Sequence, residues 1–544
     1  MLTYNPIKKP KRKDRPWLLF VMSLIWVLGT AFFHSPWEPY ETFVFAVVKG
    51  IIRNHSWLVP YVSNLPYLEI QPFYFWIYSA FLKLFNINNI YSIANSIRLI
   101  NTLIIFAIVI ISARIGSNLS AFKNGRTVVL ILISSIGFIN NAYQLSPAIL
   151  TLLGFCLYIY ALQLHRNLPG ISGWLLFLGL LFISINFTCE FILIALLVLI
   201  ILPMVDKYWQ TKSYFLTTMI GVVMFGVIFF LYCYQLYSVN ADFYTQWQNR
   251  YGTLHNPDGY SFWKQLFNVL SILSWYTVPG WLLVIWSIYK RRMRLFKDKT
   301  IEVNIILAIL ILVFSLLGGR SIEGVIFPIL LPIVFIASLE IDTMRISIVS
   351  LLNWFSICIF GVIGIAIWLV YIAFNLGRPK QLVSYILQFT QDYQYTFNIW
   401  QLSLAILITF IWLFMITRRH IRGRELVTNW ASSTTYVLIL FLSLCLPCFD
   451  AILSFKPLVF KSLPYLDRKA CIVTNSEYSS QAALWYYYAD FNLVPSFVNL
   501  NFSVCNQAVV ATYDENIIDK SQWNIVWQGK RPIDKKIYYV IKHK

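Results

Sequence analysis

The sequence predicts a polytopic α-helical membrane protein of about thirteen spans, followed by a small C-terminal α/β domain. Of its 544 residues 58% are hydrophobic and only 12% are charged, roughly half the charged fraction of a soluble protein. Apolar runs of about 20 residues recur along the chain, long enough to cross a bilayer core as helices. These runs do not show the alternation of polar and apolar residues that is typical of membrane β-barrel strands.

The apolar runs can be placed individually. The first follows a basic leader at 8–15, and no small-residue cleavage site follows it, so we expect a retained helix rather than a signal peptide. Predicted helices lie near residues 17–33, 97–116, 126–143, 147–164, 172–186, 188–205, 215–237, 266–289, 301–317, 322–339, 350–375, 398–417 and 432–452.

The net charge of +20 is concentrated in short segments between apolar runs, at 8–15, 290–299 and 418–424. Such segments stay on the cytoplasmic side of a membrane, and this distribution argues against nucleic acid as a partner. We therefore predict a multi-pass protein of the cytoplasmic (inner) membrane with its N-terminus in the cytoplasm. The predicted extracytoplasmic segments are 34–96, 238–265, 376–397 and the tail after residue 449.

The first extracytoplasmic segment contains two predicted interfacial helices. From Tyr40 to Asn54 apolar residues recur at helical spacing, with Lys49 and Arg53 near the end, which is typical of a helix lying along a membrane surface. The second, from Phe73 to Phe85, is rich in aromatic residues that favour the interface.

The tail from about residue 453 has short runs of Val, Ile and Tyr around one helix-like stretch, which predicts an α/β domain. The predicted domains are therefore 1–452, the membrane domain, and 453–544. Cys471 and Cys505 each lie at a predicted strand, where a disulfide and two free thiols are both compatible with the pattern. Cys445 and Cys448 have a C-x-x-C spacing but no second pair, so it is not a metal signature.

Three motifs follow the first predicted helix in order: PWEPYE at 36–41, SWLVP at 56–60 and LPYLEIQPFYFW at 65–76. Together with the predicted architecture they resemble the membrane glycosyltransferases of the GT-C type, close to glycosyltransferase family 39. The nearest branches are the protein O-mannosyltransferases and the lipid A aminoarabinose transferases. The resemblance implies interfacial helices in the first outside loop, an outward-facing C-terminal domain, and sugar transfer from a polyprenyl-phosphate donor to a lipid, glycan or protein acceptor.

The sequence departs from the family at charged positions. The Asp-Glu pair of the family is Tyr40-Glu41 here, and a tyrosine with a pKa near 10 is a poor general base. The family's Glu-Lys-Pro-Pro appears as Glu69-Ile70-Gln71-Pro72, without the lysine. Two further motifs lose their charged residue, at 146–148 and 188–190. The active-site motif is thus degenerate.

The resemblance and the remaining charges define the candidate site. We predict Glu41 and Glu38 as catalytic carboxylates that share one helical face if the helix begins at Pro39. The alternative is that they are first-turn acids favoured by the helix dipole.

Substrate binding is predicted at Tyr40, Glu69, Arg320 and His255. Arg320 could clamp a phosphate, although interfacial snorkelling is the plainer interpretation. For His255 the alternative is that it is simply a polar loop residue. Glu69 matches an acidic residue of the family that can hold a divalent metal ion, and this ion is the one candidate cofactor.

Three function classes follow. The first is a glycosyltransferase that uses a polyprenyl-phosphate-linked sugar and a lipid or glycan acceptor, within membrane lipids. The second is a catalytically inactive protein of the same fold that binds a lipid-linked glycan or a partner. The third, a transporter, lacks support because no repeat and no pair of broken helices in matching halves is evident.

Overall fold

The structure is a computed structural model of the chain. It describes residues 17–31, 34–63, 65–87, 89–119, 124–185, 189–252, 262–317, 324, 326–390, 396–417, 424–468, 470–474, 480–495, 505–513, 518 and 520–544.

Helices make up most of the described chain. In chain order they are α1 (Trp17–Gly29), α2 (Glu41–Asn54), α3 (Pro72–Leu84), α4 (Ile90–Asn118), α5 (Gly125–Ser134), α6 (Ile136–Ala142), α7 (Pro147–Leu164), α8 (Pro169–Ile183), α9 (Glu190–Val205), α10 (Lys212–Val239), α11 (Ala241–Tyr251), α12 (Phe262–Tyr276), α13 (Gly280–Arg291), α14 (Lys299–Leu317), α15 (Leu330–Ala337), α16 (Ile346–Leu376), α17 (Lys380–Leu387), α18 (Ile399–Thr417), α19 (Arg424–Leu444), α20 (Leu446–Leu453), α21 (Lys456–Ser462) and α22 (Ser480–Ala489). Short 3₁₀ helices cover Lys207–Trp209, Arg292–Lys297, Phe327–Ile329, Ile341–Thr343 and Leu463–Tyr465.

The strands are β1 (Tyr61–Val62), β2 (Leu65–Pro66), β3 (Ile472–Thr474), β4 (Leu493–Pro495), β5 (Gln507–Thr512), β6 (Trp523–Gly529) and β7 (Ile537–His543). The first two form a hairpin in the segment between α2 and α3. The other five form one sheet in the order β4-β3-β5-β7-β6.

This is a multi-span membrane protein. Within the described residues, seven helices are long and apolar enough to cross a bilayer, and two bent pairs, α5 with α6 and α12 with α13, raise this to nine. Four shorter apolar helices lie near 20–29, 169–183, 190–205 and 327–337. Each of the thirteen predicted spans overlaps one of these segments, although the last, predicted at 432–452, is observed at 424–444 and is followed by the separate helix α20. The number that cross the bilayer stays a prediction.

The bundle is held by side-by-side packing of its apolar helices. Helix α7 packs on α8 and α4, α8 packs on α10, and α19 packs on both α16 and α18. Proline at the first turn of α3, α7 and α8 suits their starts, because a backbone N–H there has no partner inside the helix. The α5–α6 pair bends by 70° at Ser135, whose backbone is extended.

Helix α2 is present as predicted but is buried on most of its surface. Ten of its fourteen residues are buried, because the bundle packs against it on one side and α22 of the C-terminal region packs against it on the other. Its apolar pattern therefore reflects protein packing, and its placement at a membrane surface stays a prediction.

Two basic residues of α2 fasten the C-terminal region. The buried Lys49 ammonium donates to the carbonyls of Tyr486 and Tyr487 at 3.2 and 2.6 Å, at the end of α22, where helix carbonyls lack partners and attract cations. Lys49 and Arg53 also both contact the Asp490 carboxylate, at 2.5 Å. Burial lowers the pKa of Lys49, and the hydrogen bond with Asp490 opposes that change.

The C-terminal sheet confirms the predicted α/β character. Strand β3 is parallel to β4 and β5, with α22 between β3 and β4 in sequence, and β5, β7 and β6 are antiparallel. Cys471 and Cys505 form a disulfide with their Cα atoms 5.4 Å apart, within the usual range for such bridges. Of the two alternatives for this pair, the structure shows the disulfide.

Candidate active site

A cavity of about 210 Å³ opens where the segment 34–41 enters the helical bundle. Its wall combines charged and amide side chains with apolar ones, as ligand sites commonly do. The lining residues are Gly29, Thr30, His34, Trp37, Glu41, Arg98, Asn101, Ile139, Asn140, Ala142, Tyr143, Gln144, Leu145, Leu438, Phe441, Leu442 and Leu446.

Glu41 and Arg98 form a buried ion pair on this wall. Arg98 Nε donates to Glu41 Oε1 at 3.3 Å and Arg98 Nη2 donates to Oε2 at 3.0 Å, so the guanidinium binds the carboxylate with two atoms. Each side chain is 3% exposed. The backbone N–H of Trp37 also donates to Glu41 Oε2, at 3.1 Å. Both carboxylate oxygens of Glu41 are therefore already acceptors.

Glu38 lies in a different environment, and the predicted common face is wrong. Helix α2 begins at Glu41 rather than at Pro39, and residues 38–40 form a turn, so the two carboxylates are not stacked on one helix. Glu38 Oε2 accepts from Arg531 Nη2 of the C-terminal region at 3.4 Å, with the glutamate side chain 32% exposed. It is not among the residues that line the cavity.

The imidazole side chain of His34 also lines the cavity. Its ring stacks on the Trp37 indole with centroids 3.8 Å apart. His34 Nδ1 lies 2.7 Å from the carbonyl oxygen of Ser35 and 3.6 Å from Glu41 Oε2. Burial lowers the pKa of His34; Glu41 and Asp450 oppose that change and Arg98 reinforces it. Burial therefore favours the neutral form of the ring.

Asp450, on α20, fixes the position of the 34–37 segment. Its Oδ1 accepts from Ser35 N at 3.0 Å, from Trp37 Nε1 at 2.9 Å and from the Ser35 hydroxyl. One carboxylate oxygen thus ties the loop after α1 to the helix that follows the last long apolar helix.

Glu69 is paired with an arginine. Arg250 Nη2 donates to Glu69 Oε1, and both side chains are about one-third exposed. Within the described ranges, no group of three or more His, Cys, Asp and Glu side chains could hold a metal ion. The structure therefore gives no support to the predicted metal role of Glu69, and Glu69 is not among the cavity's lining residues.

The remaining predicted residues are spread apart or fall outside the description. Tyr40 is half-buried in the turn before α2 and is likewise not among the lining residues. His255 and Arg320 lie outside the described residues, so their predicted roles stay predictions. Of the six predicted site residues, the structure places Glu41 at the cavity.

A second, larger cavity of about 540 Å³ lies at the opposite end of α7. Leu162 and Lys299 line it, whereas Leu145, just before α7, lines the first cavity. Lys299 is paired with both Asp206 and Glu302. Its charge is therefore already compensated by neighbouring carboxylates.

Comparison with known proteins bears on the fold. No protein-family model matches the sequence, and no curated protein matches it. ArnT from Cupriavidus metallidurans in the apo state matches with a TM-score of 0.68 at 12% identity, over 96% of this chain and 97% of ArnT. The chain has the GT-C fold. The same ArnT bound to undecaprenyl phosphate matches with a TM-score of 0.66 at 13% identity and the same coverages.

The oligosaccharyltransferase of Archaeoglobus fulgidus in the apo form matches more weakly, with a TM-score of 0.47 at 11% identity, over 89% of this chain and 64% of that one, and the assignment of the fold does not depend on it. In the GT-C fold of this chain, the PWEPYE motif and His34 before it supply three cavity residues, His34, Trp37 and Glu41. The predicted resemblance in fold is confirmed.

Sequence reasoning missed three residues of this cluster. Arg98 had a usable signal, since a charged residue at the start of an apolar span marks a functional site more often than a lipid contact. Asp450 had no local signal, because its importance arises from contacts with Ser35 and Trp37, more than 400 positions away. His34 had none either, because the contact with Arg98 lies 64 positions away along the chain.

Proposed function

We propose that this protein is an integral membrane glycosyltransferase that takes a sugar from a polyprenyl-phosphate donor. The acceptor is a lipid, glycan or protein on the outer side of the cytoplasmic membrane. The observation that carries the proposal is the cavity at which Glu41, Arg98 and His34 meet, in a chain with the GT-C fold. Crystals of the similarly folded ArnT contain undecaprenyl phosphate.

Arg98 supplies the group that a phosphate donor requires. Its Nε and Nη2 atoms are engaged by Glu41, while Nη1 has no hydrogen-bond partner among the residues that the structure describes. Planar guanidinium N–H groups suit phosphate oxygens, and in a cavity shielded from water they would stabilise the charge that develops on the departing phosphate. We assign Glu41 the positioning role of holding this guanidinium.

The lipid chain of such a donor requires hydrocarbon beside the polar cavity. Leu438, Phe441 and Leu446 supply an apolar side of the wall. A polar head at Arg98 with an apolar exit along α19 suits a molecule with a phosphate at one end and a long hydrocarbon tail.

Orientation follows from the basic segments. We expect the N-terminus in the cytoplasm and the C-terminal sheet outside. Ser521→Cys should react with a membrane-impermeant thiol reagent in intact spheroplasts, and Thr3→Cys should react only after lysis, in a background without the six free cysteines. The reverse labelling would refute this orientation.

Activity is tested with the full chain in lipid nanodiscs, supplied with membranes from source cells that lack it. Those membranes provide native donors and acceptors, and release of free polyprenyl phosphate is the readout. We expect release that depends on the protein. Arg98→Lys keeps the positive charge but removes the planar guanidinium with its paired N–H donors. Catalytic efficiency should therefore fall about 10- to 100-fold, as expected for a lost charged hydrogen bond.

The matched control is Arg424→Lys, at an ion pair with Asp342 whose side chains are 36% and 46% exposed. It should release polyprenyl phosphate at the wild-type rate. No release above membranes alone, under conditions in which the chain is folded, would refute the enzymatic proposal.

One observation favours the second candidate, a binding protein without catalysis. Glu41 has both oxygens occupied, and Tyr40 stands where the resembling family has its general-base Asp. The release assay, combined with native mass spectrometry, decides between the two candidates. A binding protein without catalysis retains undecaprenyl phosphate in native mass spectra but releases none from donors.

A further inference from the structure

The segment just before PWEPYE contains a basic group that the family resemblance does not assign. His34 lines the cavity beside Glu41 and Arg98, and its side chain is 8% exposed. Its neighbours fix both its position and its protonation.

The hydrogen bond at Nδ1 determines the tautomer. A carbonyl oxygen can only accept, and Ser35 O lies 2.7 Å from His34 Nδ1, so Nδ1 carries the proton. The longer 3.3 Å approach of Arg98 Nη2 to the same nitrogen is then a contact rather than a hydrogen bond. In this tautomer Nε2 carries the lone pair, and it has no hydrogen-bond partner among the described residues.

The charges around the ring favour its transient protonation. Glu41 from α2 and Asp450 from α20 contribute two negative charges, and Arg98 from α4 contributes one positive charge. A neutral His34 leaves the cluster with one surplus negative charge, and an imidazolium would make it neutral. Burial meanwhile keeps the pKa of the ring below its ordinary value.

We propose that His34 Nε2 is the proton acceptor of the transfer reaction, in place of the aspartate that the resembling family has at the position of Tyr40. This rests on the proposed function and adds that the acceptor substrate bears a hydroxyl group. The hydroxyl oxygen forms the bond to the anomeric carbon, and the bond from that carbon to the phosphate oxygen breaks. The electron pair leaves with polyprenyl phosphate, and the hydroxyl proton passes to Nε2.

Asp450 is a positioning residue in this scheme. It binds Ser35 and Trp37, and these residues hold the imidazole: the Ser35 carbonyl accepts from Nδ1, and the Trp37 indole stacks on the ring. Burial lowers the pKa of His34, and the charge of Asp450 opposes that change. Asp450→Asn keeps an acceptor oxygen but removes that charge, so it should lower the pKa of the base without removing the base.

The test uses the nanodisc assay and its pH dependence. For the wild type we expect release of polyprenyl phosphate to decline as pH falls through a pKa below about 6.5. His34→Gln should lose about 10²-fold or more in rate, and its rate should no longer show this decline at low pH, which we call the acid limb. Asp450→Asn should move the limb to lower pH, and His34→Ala should regain rate when imidazole is added. His543→Gln, at an exposed histidine at the end of β7, should match the wild type.

Each result decides. Equal rates and equal acid limbs in His34→Gln and the wild type would overturn the assignment of His34 and leave the proposed function standing. No wild-type release would overturn both. Should His34→Gln fail to fold, the acid limb of folded Asp450→Asn decides: an unmoved limb overturns the assignment.

Discussion

Glu38 and Glu41 are three positions apart, yet each binds an arginine from a different part of the molecule. Glu41 faces the bundle, where Arg98 binds both of its oxygens and each side chain is 3% exposed. Glu38 faces the C-terminal region, where Arg531 approaches at 3.4 Å and the glutamate is 32% exposed.

The two arginines also differ in what else they bind. Arg531 is held by Asp534 through Nε at 2.7 Å and Nη2 at 2.6 Å, and it donates to the Leu453 carbonyl at 2.6 Å, so Glu38 is its outermost partner. Arg98 depends on Glu41 for charge compensation. The Arg98–Glu41 pair therefore both stabilises the folded protein and lines the cavity. Glu38, by contrast, makes a peripheral contact between the bundle and the C-terminal region.

The largest expected effect is the loss of the Arg98 charge. Arg98→Met leaves the Glu41 carboxylate buried without its cation, so the free energy of unfolding should fall by about 3–5 kcal/mol. Unfolding by SDS in mixed micelles measures it. Arg424→Met is the control and should change stability by at most about 1 kcal/mol, and Arg98→Met/Glu41→Met should recover part of the loss. Equal effects of Arg98→Met and Arg424→Met would contradict the contrast in burial.

A smaller loss is expected at the junction with the C-terminal region. Lys49→Met removes a buried ammonium from two helix-terminal carbonyls and from Asp490, and should cost about 1.5–3 kcal/mol. Hydrogen exchange in residues 480–495 should accelerate. Arg53→Met is matched to it, since Arg53 binds the same Asp490 but is 51% exposed, and should cost less. An Arg53→Met effect as large as that of Lys49→Met would refute this assignment.

The third effect depends on pH. Because burial lowers the pKa of His34 in the folded protein, the unfolded chain binds a proton first as pH falls below about 6.5. Stability is therefore complete above that pH and declines below it, by up to about 1.4 kcal/mol for each unit by which the folded pKa is lowered. Thermal unfolding of the wild type and His34→Gln between pH 5 and 8 measures this, and parallel curves would show that His34 contributes nothing.

The smallest effect is expected for Glu38→Gln. Arg531 keeps Asp534 and the Leu453 carbonyl, and Glu38 is partly exposed, so stability should change by no more than about 1 kcal/mol. Release of polyprenyl phosphate should also stay near the wild-type rate. A loss of rate as large as that of Arg98→Lys would place Glu38 in the active site, as the sequence had predicted, and would remove the contrast with Glu41.

Much of the fold could be predicted from the sequence because hydrophobic periodicity is local. The thirteen apolar segments, helices α2 and α3 and the C-terminal strands all follow from runs of neighbouring residues. The common face of Glu38 and Glu41 failed because it depended on a helix start that shifted by two residues, from Pro39 to Glu41.

The rest of the site could not be predicted because it depends on contacts between distant residues. Arg98 meets Glu41 across 57 positions, and Asp450 meets Ser35 across 415. No periodicity encodes such pairs. The burial of α2 likewise depends on α22, more than 400 residues away in sequence, which covers part of the surface that the sequence pattern assigns to lipid.

The most direct test of the central claim is a cryo-EM structure of the full chain in nanodiscs with undecaprenyl phosphate. We predict the phosphate in the cavity beside Glu41, with an oxygen within about 3.2 Å of Arg98 Nη1 and the lipid chain leaving along α19. A phosphate bound instead in the cavity lined by Lys299, or no lipid beside Arg98 at saturating concentration, would contradict the account.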